Sequence, residues 1–479
     1  MQTERTKKLP FDSFSEECGV IGIHSPNTYN IASTAYYGLF ALQHRGQESC
    51  GIAVGNGKRI EYYKNMGLVP EVFSAERISS LPDGNIAIGH VRYSTTGASK
   101  LCNAQPIYFI GKRGKMALAH NGNLINAKQL RNELIKENAV FQTSIDSEVM
   151  ASLINKYSDE SIVDGVLEAC KYFKGSYSFV LMSQDKLIAV RDPYGIRPLC
   201  FGTIGDRYIV ASETCALDGV GAKFVRDIEP GEVLVFDGDG IEFYRIDNPA
   251  PKKAHCIFEY VYFARPDSEI DGVSVYESRK ESGKILAKKY PVEADMVAGV
   301  PDSAVVAARG YSEVSGIPYG EALTKNRYVG RTFIQPEQGM RETSVKIKLN
   351  ALRSNVCGKR IILIDDSIVR GTTSKKIVQM LREAGAKEVH LRISSPITKH
   401  PCYFGIDTND YSQLVGAFRT EEEICKFIGC DSLHYLTIDE LCETVHRDKN
   451  EFCLGCFNGE YPYIVENEKE KEDKQMLDD

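Results

Sequence analysis

The fold class this sequence predicts is α/β, in two units joined by a short linker, and three observations predict it. Residues 18–250 carry short apolar runs closed by turn signals, and these outnumber the stretches able to act as crossover helices. Stacked sheets flanked by helices therefore fit better there than one parallel sheet. From about residue 256 the rhythm changes to strand, helix, strand, which predicts a mostly parallel sheet. Between the two, DNPAPKKAH at 247–255 is proline-rich and basic, the composition of an interdomain linker. A chain of 479 residues is long enough for two or three domains with full cores.

In the first unit the strand candidates are CGVIGIHS, CGIAVGNGK, NIAIGHVRYS, MALAHNGNL, SYSFVLMS, LIAVRDPYG, RYIVASE and GEVLVFDGDG. Most end in Gly, Asn, Asp or Ser, residues that tolerate tight turns. Amphipathic spacing predicts helices near 30–43, 126–137, 146–157 and 161–173. In the second unit ESRKESGKILAKKY reads as a helix, ADMVAGVP as a buried strand and SAVVAARGYSEVSG as a helix. KRIILIDD, TSKKIVQMLREAGA and KEVHLRISSP follow as strand, helix and strand. In that last helix Ile377, Leu381 and Ala384 share a face, and Gly385 is a stop signal. No internal repeat is present.

The first seventeen residues, MQTERTKKLPFDSFSEE, are polar and mixed in charge, without the apolar centre of a secretory signal. They read as a leader, and the charged end ENEKEKEDKQMLDD (464–479 with its neighbours) reads as a disordered tail. With 43% hydrophobic and 26% charged residues, the composition is that of a globular protein. A net charge of -7 argues against a general nucleic-acid binder, and no apolar run reaches membrane-span length. The expectation is a cytoplasmic protein with no nucleic-acid or membrane partner. Fourteen cysteines in a reducing compartment are poor disulfide candidates, so they should be core thiols, nucleophiles or metal ligands.

The most specific stretch is IILIDDSIVRGTTS at 361–374. An apolar strand ends in Asp365 and Asp366, and a loop leads to a helix starting near Thr373. Ligands of parallel sheets bind beyond the carboxyl ends of the strands. Backbone N–H groups around Gly371, Thr372, Thr373 and Ser374 would meet an anion at the helix N-terminus. The two carboxylates suit vicinal sugar hydroxyls or a shared Mg²⁺. A phosphate cradle beside a diol clamp describes a phosphorylated ribose; the plain alternative is a helix N-terminus after an ordinary strand.

DDSIVRGTT after an apolar strand resembles the phosphoribosyl-pyrophosphate (PRPP) motif of type I phosphoribosyltransferases. The resemblance implies that Asp365 and Asp366 bind the ribose hydroxyls, and that Ser367, Arg370, Gly371, Thr372, Thr373 and Ser374 hold the 5′-phosphate. GVPDSA at 299–304 is similar to the segment that supplies a Mg²⁺-associated serine, here Ser303. A closing loop is implied at 325–350, which carries Arg327, Arg331, Arg341, Lys346 and Lys348, with Arg331 and Lys348 as PRPP contacts.

Cys18 sits between two acids and a buried-strand pattern. A thiol needs a base to become a nucleophile at neutral pH. Cutting the chain between Glu17 and Cys18 would place an α-amine on the nucleophile itself, with a pKa of roughly 7.7–8.0. Taken alone, this stretch reads more readily as a buried strand thiol. LQHRGQES (42–49), GHVRYSTTG (89–97), AHNGNL (119–124) and SIDSEV (144–149), in this order after CGVIGI, resemble the N-terminal-nucleophile (Ntn) glutamine amidotransferases. The resemblance implies a four-layer αββα domain over 18–250, with 1–17 as a propeptide. Asn121 and Gly122 would form the oxyanion hole. Arg92 would take the α-carboxylate of glutamine and Asp146 its α-ammonium, with Arg45 and Gly46 shaping the pocket.

CLGC at 453–456 holds two soft ligands close together and needs two more. From spacing alone zinc, an iron–sulfur cluster and no metal all stand. Together the halves resemble the family of glutamine-dependent PRPP amidotransferases, in its iron–sulfur branch with a cleaved leader. That implies a 4Fe–4S cluster on Cys256, Cys402, Cys453 and Cys456, and a phosphoribosyltransferase domain over 251–463. Cys50, Cys102, Cys170, Cys200, Cys215, Cys357, Cys425, Cys430 and Cys442 read as core or surface thiols. The implied reaction turns PRPP, glutamine and water into 5-phosphoribosylamine, glutamate and pyrophosphate, the committed step of purine synthesis. Mg²⁺, inhibitory purine nucleotides, an ammonia path between the halves and a homo-oligomer (tetramer or dimer) come with it. The other class is a catalytically inactive regulator that binds PRPP or nucleotides.

Overall fold

The computed structural model describes residues 18–93, 99–238, 240–326, 349–406, 408 and 411–464. The leader 1–17, the tail from 465, and Arg331 and Lys348 with most of the 325–350 loop lie outside the described residues.

Among the described residues the first unit has thirteen strands. They are β1 (Gly19–Tyr29), β2 (Ser49–Gly55), β3 (Ile60–Met66), β4 (Gly84–Arg92), β5 (Ile107–Gly111), β6 (Gly114–Leu124), β7 (Gly175–Met182), β8 (Lys186–Arg191), β9 (Cys200–Ile204), β10 (Arg207–Ala211), β11 (Lys223–Asp227), β12 (Glu232–Asp237) and β13 (Gly240–Arg245). One sheet runs β11-β9-β10-β1-β4-β2-β3 and the other β13-β12-β8-β7-β6-β5, all neighbours antiparallel.

The sheets stack because each is apolar on both faces. Val20, Ile86, Ile88, Ala117, Ala119, Val180, Leu234 and Phe236 fill the layer between them. The outer face of the first sheet packs Ile21, Ile23 and Ile52 against the helix Ile31–Ala41. The outer face of the second packs Met116, Leu118 and Phe179 against the helices Ala127–Lys136, Asp146–Tyr157 and Ile162–Cys170. These four helices fall within two or three residues of the predicted spans. The result is the αββα sandwich. Alternation along each strand decides which residues enter the middle layer.

The second unit has a four-stranded parallel sheet: Met296–Gly299, Arg360–Asp365, Glu388–Ile393 and Ser432–Tyr435, adjacent in that order. Helices Val305–Ser315 and Thr372–Glu383 connect successive strands. In the second of these Ile377 and Leu381 are buried, as the predicted face requires, and so is Ala384 just after its last residue. The helix begins at Thr372, one residue before the expected start. Parallel order puts every strand's carboxyl end at one edge, and residues 300–304 and 366–371 gather there. Among the described residues no helix is long and apolar enough to cross a membrane.

Candidate active site

Strand parity turns the nucleophile candidate and the oxyanion candidates toward each other. Val20 lies in the layer between the sheets, so Cys18, two residues earlier, points the same way where β1 begins. On the facing sheet Asn121 continues the inward series Ala117, Ala119. Cys18 is nearly buried, and its Sγ lies 3.5 Å from the carbonyl oxygen of Tyr93. Asn121 is buried too, and among the described residues its Nδ2 has no hydrogen-bond partner. Leaving a buried donor unmade costs roughly 1–3 kcal/mol, a cost proteins rarely keep without a use for it. Gly122 has φ 146°, and a Cβ there would stand 2.2 Å from the Ser176 carbonyl oxygen, so only glycine fits beside this donor.

Arg92, at the end of β4, follows Ile86 and Ile88 on the same inward face. It is buried, with Nη1 3.9 Å from Oε2 of Glu48. Asp146 opens the helix Asp146–Tyr157. Its Oδ2 accepts the Leu124 N–H at 3.0 Å, and its Oδ1 lies 3.6 Å from Nδ1 of His120. Burial works to raise this carboxyl, but His120 and the N–H donors of Leu124 and Ser147 outweigh it and hold it below its ordinary range. Asp146 is thus an anion beside the strand that carries Asn121. His90 donates to the His120 carbonyl at 3.0 Å, and burial drives its pKa down to about 3, so it stays neutral behind the site.

Arg45 acts through the backbone. It is fully buried and donates from Nε to the Cys18 carbonyl at 3.0 Å. Its Nη1 reaches Glu213 at 2.5 Å, and its Nη2 reaches Glu259 at 2.7 Å. Burial alone would raise both acids; in each case the arginine beside it helps overturn that, with His44 also acting on Glu213, and both carboxyls stand below their ordinary range. Gly46 lets this turn press onto β4, since a Cβ there would sit 2.5 Å from the Val91 carbonyl carbon.

Glu213 and Glu259 were not singled out from the sequence. Each is a lone acid beside or within an apolar run (RYIVASE, CIFEYVYFA), and a buried acid there demands a cation. Glu259 lies just past the linker, so the clamp on Cys18 is shared between the two units. Asn123 Nδ2 also donates to the Tyr403 carbonyl at 2.8 Å, and Ser176 Oγ to that of Phe404 at 2.8 Å.

At the carboxyl edge of the parallel sheet, Asp365 and Asp366 are both nearly buried. Asp366 accepts the Ser303 hydroxyl on one oxygen and the Ser367 hydroxyl, at 2.6 Å, on the other. Burial raises its pKa, and the two hydroxyls and Arg279 offset this only partly. Arg279, another residue missed in the sequence, is fixed behind Asp366 by the carbonyls of Tyr260 and Ala264, at 2.8 and 2.7 Å. Gly371 caps the helix Thr372–Glu383 at φ 74°, with no side chain on the cap and no acid in the first turn. Its first N–H groups are therefore placed for an anion. Ser374 is buried in that turn. Arg370 is turned aside to the side chain of Gln413.

The four cysteines expected to act together lie in one neighbourhood. His255–Cys256 pairs in parallel with Phe452–Cys453, Cys256 opposite Cys453. Burial raises the Cys456 thiol well above its usual value, and Cys453, Cys402 and Cys256 are the next causes in that order. None is in a disulfide. Thiols are the ligand type a thiophilic metal centre would take. Among the described residues no group of three or more His, Cys, Asp or Glu is placed to hold a metal ion.

Residues 90–219 match the family model of a glutamine amidotransferase domain, and residues 275–413 that of a phosphoribosyl transferase domain. The amidophosphoribosyltransferase of Archaeoglobus fulgidus is 51% identical over 456 residues, 94% of this chain and 99% of that protein. That of Bacillus subtilis is 48% identical over 453 residues, 94% of each chain. A solved structure of glutamine PRPP amidotransferase from B. subtilis, complexed with ADP and GMP, superposes with a TM-score of 0.88 at 47% identity. It covers 94% of this chain and 98% of that one.

Proposed function

The chain belongs to the amidophosphoribosyltransferase family, and from that premise we propose how its residues divide the work. The overall reaction is glutamine-dependent: PRPP, glutamine and water give 5-phosphoribosylamine, glutamate and pyrophosphate, in purine biosynthesis.

In the first unit, removal of residues 1–17 exposes the Cys18 α-amine, which takes the thiol proton. The thiolate attacks the amide carbon of glutamine. Asn121 Nδ2–H and the Gly122 N–H receive the oxyanion, and ammonia leaves with the proton returned by the α-ammonium. Water then splits the thioester to glutamate. Arg92 takes the substrate carboxylate and anionic Asp146 its ammonium. Arg45 holds the Cys18 carbonyl, and with it the direction of sulfur and amine. Cys18 and Asn121 on opposed sheet faces support this reading.

In the second unit, Asp365 and Asp366 take the ribose hydroxyls and the N-terminus at 371–374 the 5′-phosphate. Ammonia from the first unit displaces pyrophosphate at C1. Carboxylates beneath the ring ease the positive charge that develops on the sugar as the leaving group departs. Arg331 and Lys348 would take the pyrophosphate side. Asp365, Asp366 and Ser303 supply the oxygens that would hold Mg²⁺, an oxygen-seeking ion that neutralises diphosphate charge. Cys256, Cys402, Cys453 and Cys456 would hold a 4Fe–4S cluster, whose role here is to staple the linker to the C-terminal segment. The pairing of Cys256 with Cys453 and the free state of the four thiols support it. Purine nucleotides as inhibitors, a homo-oligomer and a cytoplasmic setting complete the proposal.

The observation that carries the reading is the orphaned Asn121 donor on the sheet face opposite Cys18. The test follows ¹⁵N from amide-labelled glutamine into phosphoribosylamine and sequences the mature N-terminus. An active enzyme that still begins at Met1 would remove the α-amine from the mechanism.

A further inference from the structure

Cys425 and Cys430 lie outside both sites, yet their sulfurs are 3.4 Å apart. Cys425 is on the helix Glu421–Ile428. Gly429 closes that helix in the left-handed conformation, φ 84°, and so returns the chain until Cys430 stands over Cys425. The Cys430 S–H points at the Cys425 sulfur, and Cys425 Sγ lies 3.3 Å from the Cys430 carbonyl. Both thiols are half-buried. A disulfide needs the sulfurs at about 2.05 Å, a closure of little more than an ångström that side-chain rotation can supply.

Phe427 sits inside this turn. Its ring walls the phosphate loop: a Cβ on Gly371 would stand 3.1 Å from Phe427 Cε1. The Lys375 ammonium, on the first turn of the helix after that loop, lies 4.8 Å from the same ring. Whatever stiffens residues 425–430 therefore bears on the backbone that meets the phosphate.

We propose that Cys425 and Cys430 form a reversible intramolecular disulfide, a redox modification site that weakens the grip of the phosphate loop on PRPP. The oxidant is a hydroperoxide. The Cys425 thiolate attacks its terminal oxygen, the O–O bond breaks, and a sulfenic acid forms as water or alcohol leaves. The Cys430 sulfur then attacks the sulfenyl sulfur; the S–S bond forms, the S–O bond breaks and water departs. Two thiols lose two electrons and two protons, and the peroxide gains them. Burial, and the Cys425 sulfur next, push the Cys430 thiol above its usual pKa. A dithiol reverses the step by exchange. The affinity effect rests on reading 365–374 as the PRPP cradle; the disulfide does not.

The test treats the purified full-length protein with hydrogen peroxide and maps alkylated peptides by mass spectrometry. The KM for PRPP is read in ammonia-dependent synthesis before and after dithiothreitol. The expected result is a 425–430 linked peptide, a KM raised about threefold or more, recovery with dithiothreitol, and no such rise in Cys430→Ala or Cys425→Ser. Free or over-oxidised thiols at both positions overturn the proposal, as does an equal KM rise in the variants, which would assign the damage elsewhere. A linked peptide with unchanged KM overturns its regulatory half. Should Gly371→Val leave PRPP affinity of the reduced protein intact, the cradle reading fails while the disulfide stands.

Discussion

Replacing Asn121 with alanine separates a catalytic donor from a structural one, because the two roles predict opposite effects on stability. An asparagine that held the sheets together would lose a buried hydrogen bond and destabilise the protein. Here Nδ2 has no partner to lose. Its burial unpaired already costs roughly 1–3 kcal/mol, and removing it relieves that cost while leaving a small cavity. The two offset, so Asn121→Ala should unfold within about 1 kcal/mol of the parent, and on the stable side if the cavity closes. On the proposed roles the glutamine reaction loses one of two oxyanion donors, about 10²–10³ in kcat, or roughly 2.7–4 kcal/mol of transition-state stabilisation. Glutamate release at saturating PRPP measures that loss, ammonia-dependent synthesis controls for the second unit, and urea unfolding gives the stability. A fall in glutaminase below about tenfold, or a destabilisation of several kcal/mol that takes both activities together, would refute the reasoning.

Cys18→Ser should abolish glutamine-dependent synthesis and leave ammonia-dependent synthesis; loss of both would break the division of labour between the units. Asp366→Asn should do the reverse, lowering synthesis from either nitrogen source while glutaminase persists in a glutamate-release assay. Glu259→Ala leaves Arg45 with one acid fewer in a buried site, which should cost about 3–5 kcal/mol in urea unfolding and slow glutamine hydrolysis more than ammonia use. His90, held near pKa 3 in the fold and near 6.5 unfolded, takes up its proton first in the unfolded chain. Its contribution is complete above about pH 6.5 and declines as pH falls toward 3. Between pH 6.5 and 4.5 the parent should lose about 2–3 kcal/mol more stability than His90→Gln; equal slopes would show that His90 is not buried neutral.

Where sequence and structure part company, the reason is burial. Every strand read from an apolar run exists, and the four long helices of the first unit fall where their amphipathic spacing put them. The strands that went unread include all four sheet edges, β3, β5, β11 and β13. An edge strand covers little of the core, and β13 has only exposed and half-buried residues. It leaves little hydrophobic trace. Ser432–Tyr435 escaped for a similar reason: it is the short outer strand of the parallel sheet.

The site divides the same way. Cys18, Asn121, Gly122, Asp146 and the Asp365–Ser374 loop could be proposed from the sequence because motif order carries a family resemblance, although the Cys18 stretch alone reads as a strand thiol. The loop proposed to hold phosphate is a property of one strand end and the helix after it. Arg45 was legible as a residue and not as a role. Its partners lie 168 and 214 residues away, and only the packed interior, where an arginine cannot remain alone, decided that they meet. Local backbone chemistry made the parts of this protein readable in one dimension; the cost of burying charge without a partner fixed how they are joined.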